Sequence, residues 1–355
     1  MAGSTNLLGG QPAGIGARVT FRRDFVVGGI DDPSVQLTLV FPQHVLVDGR
    51  GGFAVLNAQE AYVAQFDGNG RLVRKLGRKG GGPGELQFPL AVSSDSLGQV
   101  WVFDVTKRAL VGYGPSGAAL PEVSARGRGL LQRFAWLPDG AVLLERTRAD
   151  TTVLLRVHGP DTAVVARMVG ETARPVDRTA CGLRGETRRP VFSADFSWAA
   201  RNDVIAYIAD GEFGVTIVRG NGPPRRLQRQ ATPPPATADL ARRALGGGDS
   251  VFINDRGWCT TPVSVILAGA GVAARVPAYQ RVLIDASSRV WAIRYPLPGA
   301  NPEADIFDIE RGYVGTVALG PRRPVAFLSD GRMISLERDP SDVPLLTVYA
   351  LAWSR

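Results

Sequence analysis

Residues 76 to 86 read LGRKGGGPGEL, five glycines in eleven positions around two cations. That is the composition of a loop whose backbone N–H groups could cradle a phosphate. Such a loop needs a strand leading in, a G-K-S/T ending and a helix starting at once. Here Pro83 removes a donor, no G-K-S/T occurs, and Gln87, Phe88 and Pro89 open another strand-like run, so the segment reads as a connector. Only two histidines occur, His44 and His158, which rules out a three-histidine zinc site. A Ser-His-Asp triad would lack a G-x-S-x-G elbow to present its nucleophile, and both histidines read as structural. Two cysteines, Cys181 and Cys259, are too few for a cysteine-based zinc cluster. What remains for metal chemistry is an all-oxygen site, of the kind calcium accepts, from Asp48, Asn57, Glu145, Asn202, Asp203, Asp210, Asp285 and Asp330. Most of these fall at Asp-Gly turns, where a carboxylate caps its own loop. No catalytic, cofactor or metal residue is assigned from them.

Composition restricts what could position such groups. The chain has 355 residues, 45% of them hydrophobic, with Gly 43 and Pro 25 scattered along its length. Many short strands joined by turns suit this usage, and long helices do not. The net charge of +8 is carried almost wholly by arginine, since lysine occurs only at positions 75, 79 and 107. Pairs such as Arg126 and Arg128, Arg225 and Arg226, and Arg322 and Arg323 are spread along the chain rather than clustered, so nucleic acid is not the expected partner. No basic segment followed by an apolar run is visible at the N-terminus, and the longest apolar stretch, Val263 to Ala274, is too short and glycine-rich to span a bilayer.

The productive signal is a repeat of about one blade length. FPQHVLVDGRGGFAVLNAQEAYVAQFDGNGRLVRKLG, from Phe41, and FPLAVSSDSLGQVWVFDVTKRALVGYGPSGAALPEV, from Phe88, share one order: an apolar opening, an Asp-Gly turn, a short strand, then strand, turn and strand. Weaker copies start at Phe134, Val191, Ala278 and Pro324. Their second strands align as GFAVLNA, QVWVFDV, AVLLERT, DVIAYIA, RVWAIRY and RMISLER, most of them apolar on both faces. A sheet covered on both faces reads this way, and blades packed between blades satisfy it. The expectation is an all-β, six-bladed β-propeller of four-stranded antiparallel blades near 41–86, 87–130, 131–170, 191–230, 278–320 and 324–355. The last blade runs out after three strands, and residues 17–27 supply the missing one, closing a single domain over 17–355 behind a flexible segment at 1–16. Two stretches fall outside the template: a loop at 171–190, and an insert at 231–277 in which Thr237 caps a helix continuing to Leu245. The insert could also hold a degenerate seventh blade. Each stretch contains one cysteine, so Cys181 and Cys259 are either a disulfide pinning both over one end of the ring or two buried thiols.

The run RLVRKLGRKGGGPGELQFPLAVSSDSLGQVWVFD, Arg71 to Asp104, resembles the NHL-repeat class of six-bladed propellers, in which a G-x-G-P-G-E/Q-F connector precedes a strand ending in V-x-D. The chain is similar to bacterial six-bladed propeller proteins with a TolB-like ring, on the further match of Asp285 to Trp291. On this resemblance Glu85 and Asp104 hold turns between blades, and the protein acts outside the cytoplasm. The expected function is that of a non-enzymatic, monomeric scaffold that binds a protein or small ligand at the axial face. The alternatives are a metal-dependent hydrolase or lactonase of gluconolactonase-like type, for which calcium could be the ion, and an RNA-binding NHL module. Contact candidates are Arg78, Lys79, Lys107, Arg108, Arg294 and Tyr295, chosen because arginine and aromatic residues dominate interfaces, while Trp291 reads as core. Deleting residues 1–28 should leave a chain that aggregates or unfolds; a truncated protein melting like the full chain would contradict closure by the N-terminal strand.

Overall fold

The computed structural model describes residues 4–6, 18–49, 51–125, 131–253 and 257–354. Six antiparallel sheets follow one another around a ring, the first five each running from inner to outer strand in chain order. Blade one is Val45–Val47, Phe53–Asn57, Tyr62–Phe66 and Leu72–Leu76. Blade two is Pro89–Ser94, Val100–Asp104, Ala109–Tyr113 and Val123–Ser124. Blade three is Arg133–Trp136, Val142–Arg148, Thr151–His158 and Asp161–Val169. Blade four is Ser197–Arg201, Val204–Ile208, Gly214–Arg219 and Arg225–Gln228. Blade five is Tyr279–Ile284, Val290–Arg294, Glu303–Asp308 and Gly312–Ala318. Blade six takes Pro324–Phe327, Met333–Arg338 and Pro344–Ser354 from the end of the chain and Arg18–Gly28 from its start.

The two-faced second strands have a direct packing cause. In blade two, Val100 and Val102 join a cluster with Leu46, Leu56 and Val63 of blade one, whereas Trp101 and Phe103 join Phe134 and Leu144 of blade three. Because side chains alternate across a strand, each strand feeds two different interfaces. The same division recurs around the ring, so the core is six blade-to-blade layers, each shared by one pair of neighbours.

Closure rests on the pairing of Arg18–Gly28 with Pro344–Ser354, in register from Arg18 opposite Ser354 to Gly28 opposite Leu345. Arg322, only 8% exposed, places its guanidinium 4.7 Å from both the Phe21 ring of the entering strand and the Tyr349 ring of the departing one. Phe25 stacks against Phe53 of blade one at 6.4 Å. It also covers Gly70, where a Cβ would lie 2.4 Å from the Phe25 ring and φ is +81°, so the turn Asp67 to Gly70 accepts only glycine at that point. The segment expected to be flexible, 1–16, contributes a fifth strand at Ser4–Asn6, paired outside Arg18–Gly28; its remaining residues lie outside the described ones.

The two inserts form a small unit of their own. The first holds the pair Arg174–Pro175 and Thr187–Arg188 with a short turn at Thr179–Cys181. The second holds the helix Ala238–Leu245, the hairpin Asp249–Ile253 with Gly257–Thr261, and the helix Val263–Ala270, with no seventh blade. Thr237 caps the first helix by accepting from Leu240 N at 3.1 Å. Cys181 and Cys259 are joined in a disulfide. Phe192, Ala241, Ile266 and Val276 form the unit's core, on which Tyr295 of the ring packs. No helix among the described residues is long and apolar enough to cross a membrane.

His44 lies not in a strand but at the end of the short turn Pro42–His44 ahead of it, fully buried. Its Nδ1 accepts from Phe41 N at 3.2 Å, so Nε2 carries the proton and donates to Leu90 O at 3.1 Å. Burial pushes the His44 pKa down to about 4 from 6.5. The unfolded chain therefore binds the extra proton first, and stability that is complete above pH 6.5 drains away as pH falls toward 4. Between those pH values the wild type should lose about 3 kcal/mol through this residue. Denaturant titrations across the window should show a flatter profile for His44→Gln; parallel profiles would contradict the neutral assignment.

Candidate functional site

The six inner strands surround a channel along the ring axis, with a cavity of about 480 Å³ that touches every blade: Val47, Ser93, Trp136, Ala199, Ile284 and Phe327 all line it. At the end where the inner strands begin, it opens into a mouth of about 210 Å³ lined by Gln43, Gln132, Arg133, Glu145, Phe196, Ser197, Gln280 and Arg281. The channel and its mouth share Arg133, Leu283 and Val325.

Three side chains hold equivalent positions at this end of the ring, two of them, Arg133 and Arg281, lining the mouth and the third, His44, fully buried. His44, Arg133 and Arg281 each follow a glutamine and each precede by four residues the position that opens the inner turn: Asp48, Leu137 and Asp285. They belong to blades one, three and five. Each donates to an inner-strand carbonyl of the following blade: His44 to Leu90 O at 3.1 Å, Arg133 to Trp198 O, and Arg281 to Pro324 O at 3.3 Å. One role is thus a staple between neighbouring inner strands, which satisfies buried backbone carbonyls. A single neutral N–H is enough for that role, as His44 demonstrates. Arg133 and Arg281 bring in addition a full charge and further donors.

The electrostatics of those charges are unfavourable. Burial lowers the Arg133 pKa, with the Glu145 charge acting in the opposite direction. Burial and the neighbouring Arg133 charge push Arg281 down to about 10, which leaves it cationic at neutral pH. Neither forms a salt bridge among the described residues. Arg133 also stacks 4.5 Å from the Trp198 ring centroid, and Glu145 Oε2 accepts from Trp198 Nε1 at 2.7 Å. A third guanidinium, Arg201, crosses from blade four to Phe327 O and Leu328 O of blade six at 2.8 and 3.4 Å. The contrast with Asp305 is instructive: this buried carboxylate is held by Arg229, Arg294, Tyr279 and Thr316, a network closed on itself between blades four and five. A closed network holds structure, whereas two like charges sharing a cavity leave room for an anion.

The contact candidates read from sequence do not gather at the mouth. Arg78 pairs with Glu85, and Lys107 with Glu122 and Gly82 O, around the glycine connector between blades one and two; exposed Lys79 and Arg108 sit beside them. The connector's Gly82 N bonds Glu85 and its Gly80 N bonds Leu86 O, so neither donor is free for a phosphate. Asp104 accepts from the backbone of Gln87, Phe88 and Lys107. Arg294 belongs to the Asp305 network, and Tyr295 packs on Phe192 of the insert. The oxygen ligands are scattered: Asp203 pairs with Arg219, Asp210 with Arg226, Asp285 with Arg289 and Asp330 with Arg332, while Asn57 bonds Thr38. Among the described residues no three His, Cys, Asp or Glu side chains come together to hold a metal ion.

No sequence family and no curated protein matches the chain. Solved structures do. A Bacteroides vulgatus member of the DUF4221 family aligns over 95% of this chain and 99% of its own at 8% identity, with a TM-score of 0.51. A Bacteroides fragilis protein whose name records an inferred export aligns over 95% of both chains at 9% identity, also with a TM-score of 0.51. The likeness is one of fold.

Arg281→Gln keeps a donor for Pro324 O while removing the repelled charge, so it should raise stability by about 1 kcal/mol in denaturant titration. A loss of similar or larger size would show that the guanidinium is there to hold the ring.

Proposed function

We propose that the protein is a non-enzymatic binding module of NHL type that captures a small anionic ligand at the axial mouth. The observation that supports this reading is the presence of guanidiniums, at Arg133 and Arg281, in two staple positions where a neutral donor suffices at His44. The channel into which the mouth opens falls in the size range of small-molecule sites, and guanidinium forks suit carboxylate or phosphate oxygens. The partners implied are ligands rather than nucleic acid, because many surface arginines are neutralised by carboxylates, as in Arg219 with Asp203 and Arg226 with Asp210. A role outside the cytoplasm follows from the NHL resemblance and agrees with a disulfide, which persists in oxidising compartments.

The test is isothermal titration calorimetry with sulfate, phosphate and citrate at constant ionic strength. Saturable binding of at least one is expected, and Arg133→Gln combined with Arg281→Gln should weaken it at least tenfold. Because such anions also stabilise proteins by exclusion from their surfaces, a thermal shift counts only where the double variant lacks it. Absence of binding, or equal binding by the double variant, would contradict the proposal.

A further inference from the structure

Glu145 turns the mouth from a general anion site into a selective one. Its Oε2 is held by Trp198 Nε1 at 2.7 Å, its second oxygen has no hydrogen bond among the described residues, and the residue lines the same cavity as the two guanidiniums. Arg201 lines the channel but not the mouth, so its charge lies outside this set. The mouth therefore presents two positive groups and one negative group. Resting on the anion-binding reading above, we infer that the ligand is an amino dicarboxylate: two carboxylates for Arg133 and Arg281, and an ammonium for Glu145.

Two alternatives fit less well. A simple dianion such as sulfate or a dicarboxylate brings negative charge against Glu145 and leaves its free oxygen without a donor. A zwitterion with a single carboxylate leaves one guanidinium uncompensated. An amino dicarboxylate has a net charge opposite to that of the mouth, with each group matched. The mouth, at about 210 Å³, has room for a molecule of amino-acid size, and Gln43, Gln132 and Gln280 offer neutral amides beside the charged groups. Burial also raises the Glu145 pKa, a penalty on its charged form that an ammonium partner would relieve.

Calorimetry with L-glutamate and glutarate, which differ only by the ammonium, decides this on the full chain. The wild type should bind glutamate at least tenfold more tightly than glutarate. Glu145→Gln still offers an oxygen to Trp198 Nε1; it should bind glutarate no worse than wild type and lose the preference for glutamate. Glutarate bound as tightly as glutamate by the wild type would overturn the inference and leave the anion site standing. A glutamate preference that persists in Glu145→Gln would overturn the role of Glu145. If neither ligand binds and sulfate, phosphate and citrate also fail, both readings fall; if only those anions bind, the inference alone falls.

Discussion

The whole ring depends on one antiparallel pairing, that of the strand entering at Arg18 with the strand leaving at Ser354. Every other blade is made from consecutive chain and would form the same sheet in an open array. Only this pairing makes the sixth blade a neighbour of the first, and only then do six inner strands face one axis. Its strength comes from more than the ladder. Phe21 and Phe25 carry the entering strand into two separate blade interfaces, and Arg322 lies between rings of both partner strands. A closed sheet also has no inner repeat left to template association.

Closure has a chemical consequence at the axis. Inner strands converge there with their edge carbonyls unpaired by any further strand, and such groups need donors. The protein meets the need on alternate blades with three side chains at equivalent positions. One of them is neutral and fully buried; the other two are charged and half-buried beside a cavity. The difference separates structure from function, because the staple explains the donors and leaves the charges unexplained. Asp305, by contrast, has two guanidiniums, a phenol and a hydroxyl around it. At the mouth the compensation is incomplete, which is the state expected of a site whose partner arrives from solution.

Much of the architecture was legible in the sequence because it is written in apolar periodicity and turn chemistry, both local properties. The two-sided strand Val100 to Asp104, the glycine at position 70 and the Thr237 cap each follow from residues close by. The helix Val263–Ala270 was missed because its run of valine, isoleucine and alanine has no polar stripe to mark a period, and its burial comes from the insert core. The mouth is hidden for another reason. Cations in loops are what the sequence puts forward, yet those at Arg78 and Lys107 are neutralised by Glu85 and Glu122, which only geometry reveals. The signal that could have found the mouth was present: Gln-His at 43, Gln-Arg at 132 and Gln-Arg at 280, recurring at the start of every second blade.

The most direct measurement is diffraction from crystals grown in selenate, with the anomalous signal of selenium used to place the anion. An ordered peak is expected in the axial mouth within hydrogen-bond distance of both Arg133 and Arg281, absent from crystals of the double glutamine variant grown the same way. Selenate ordered only on the outer arginines, with the mouth holding solvent alone, would contradict it.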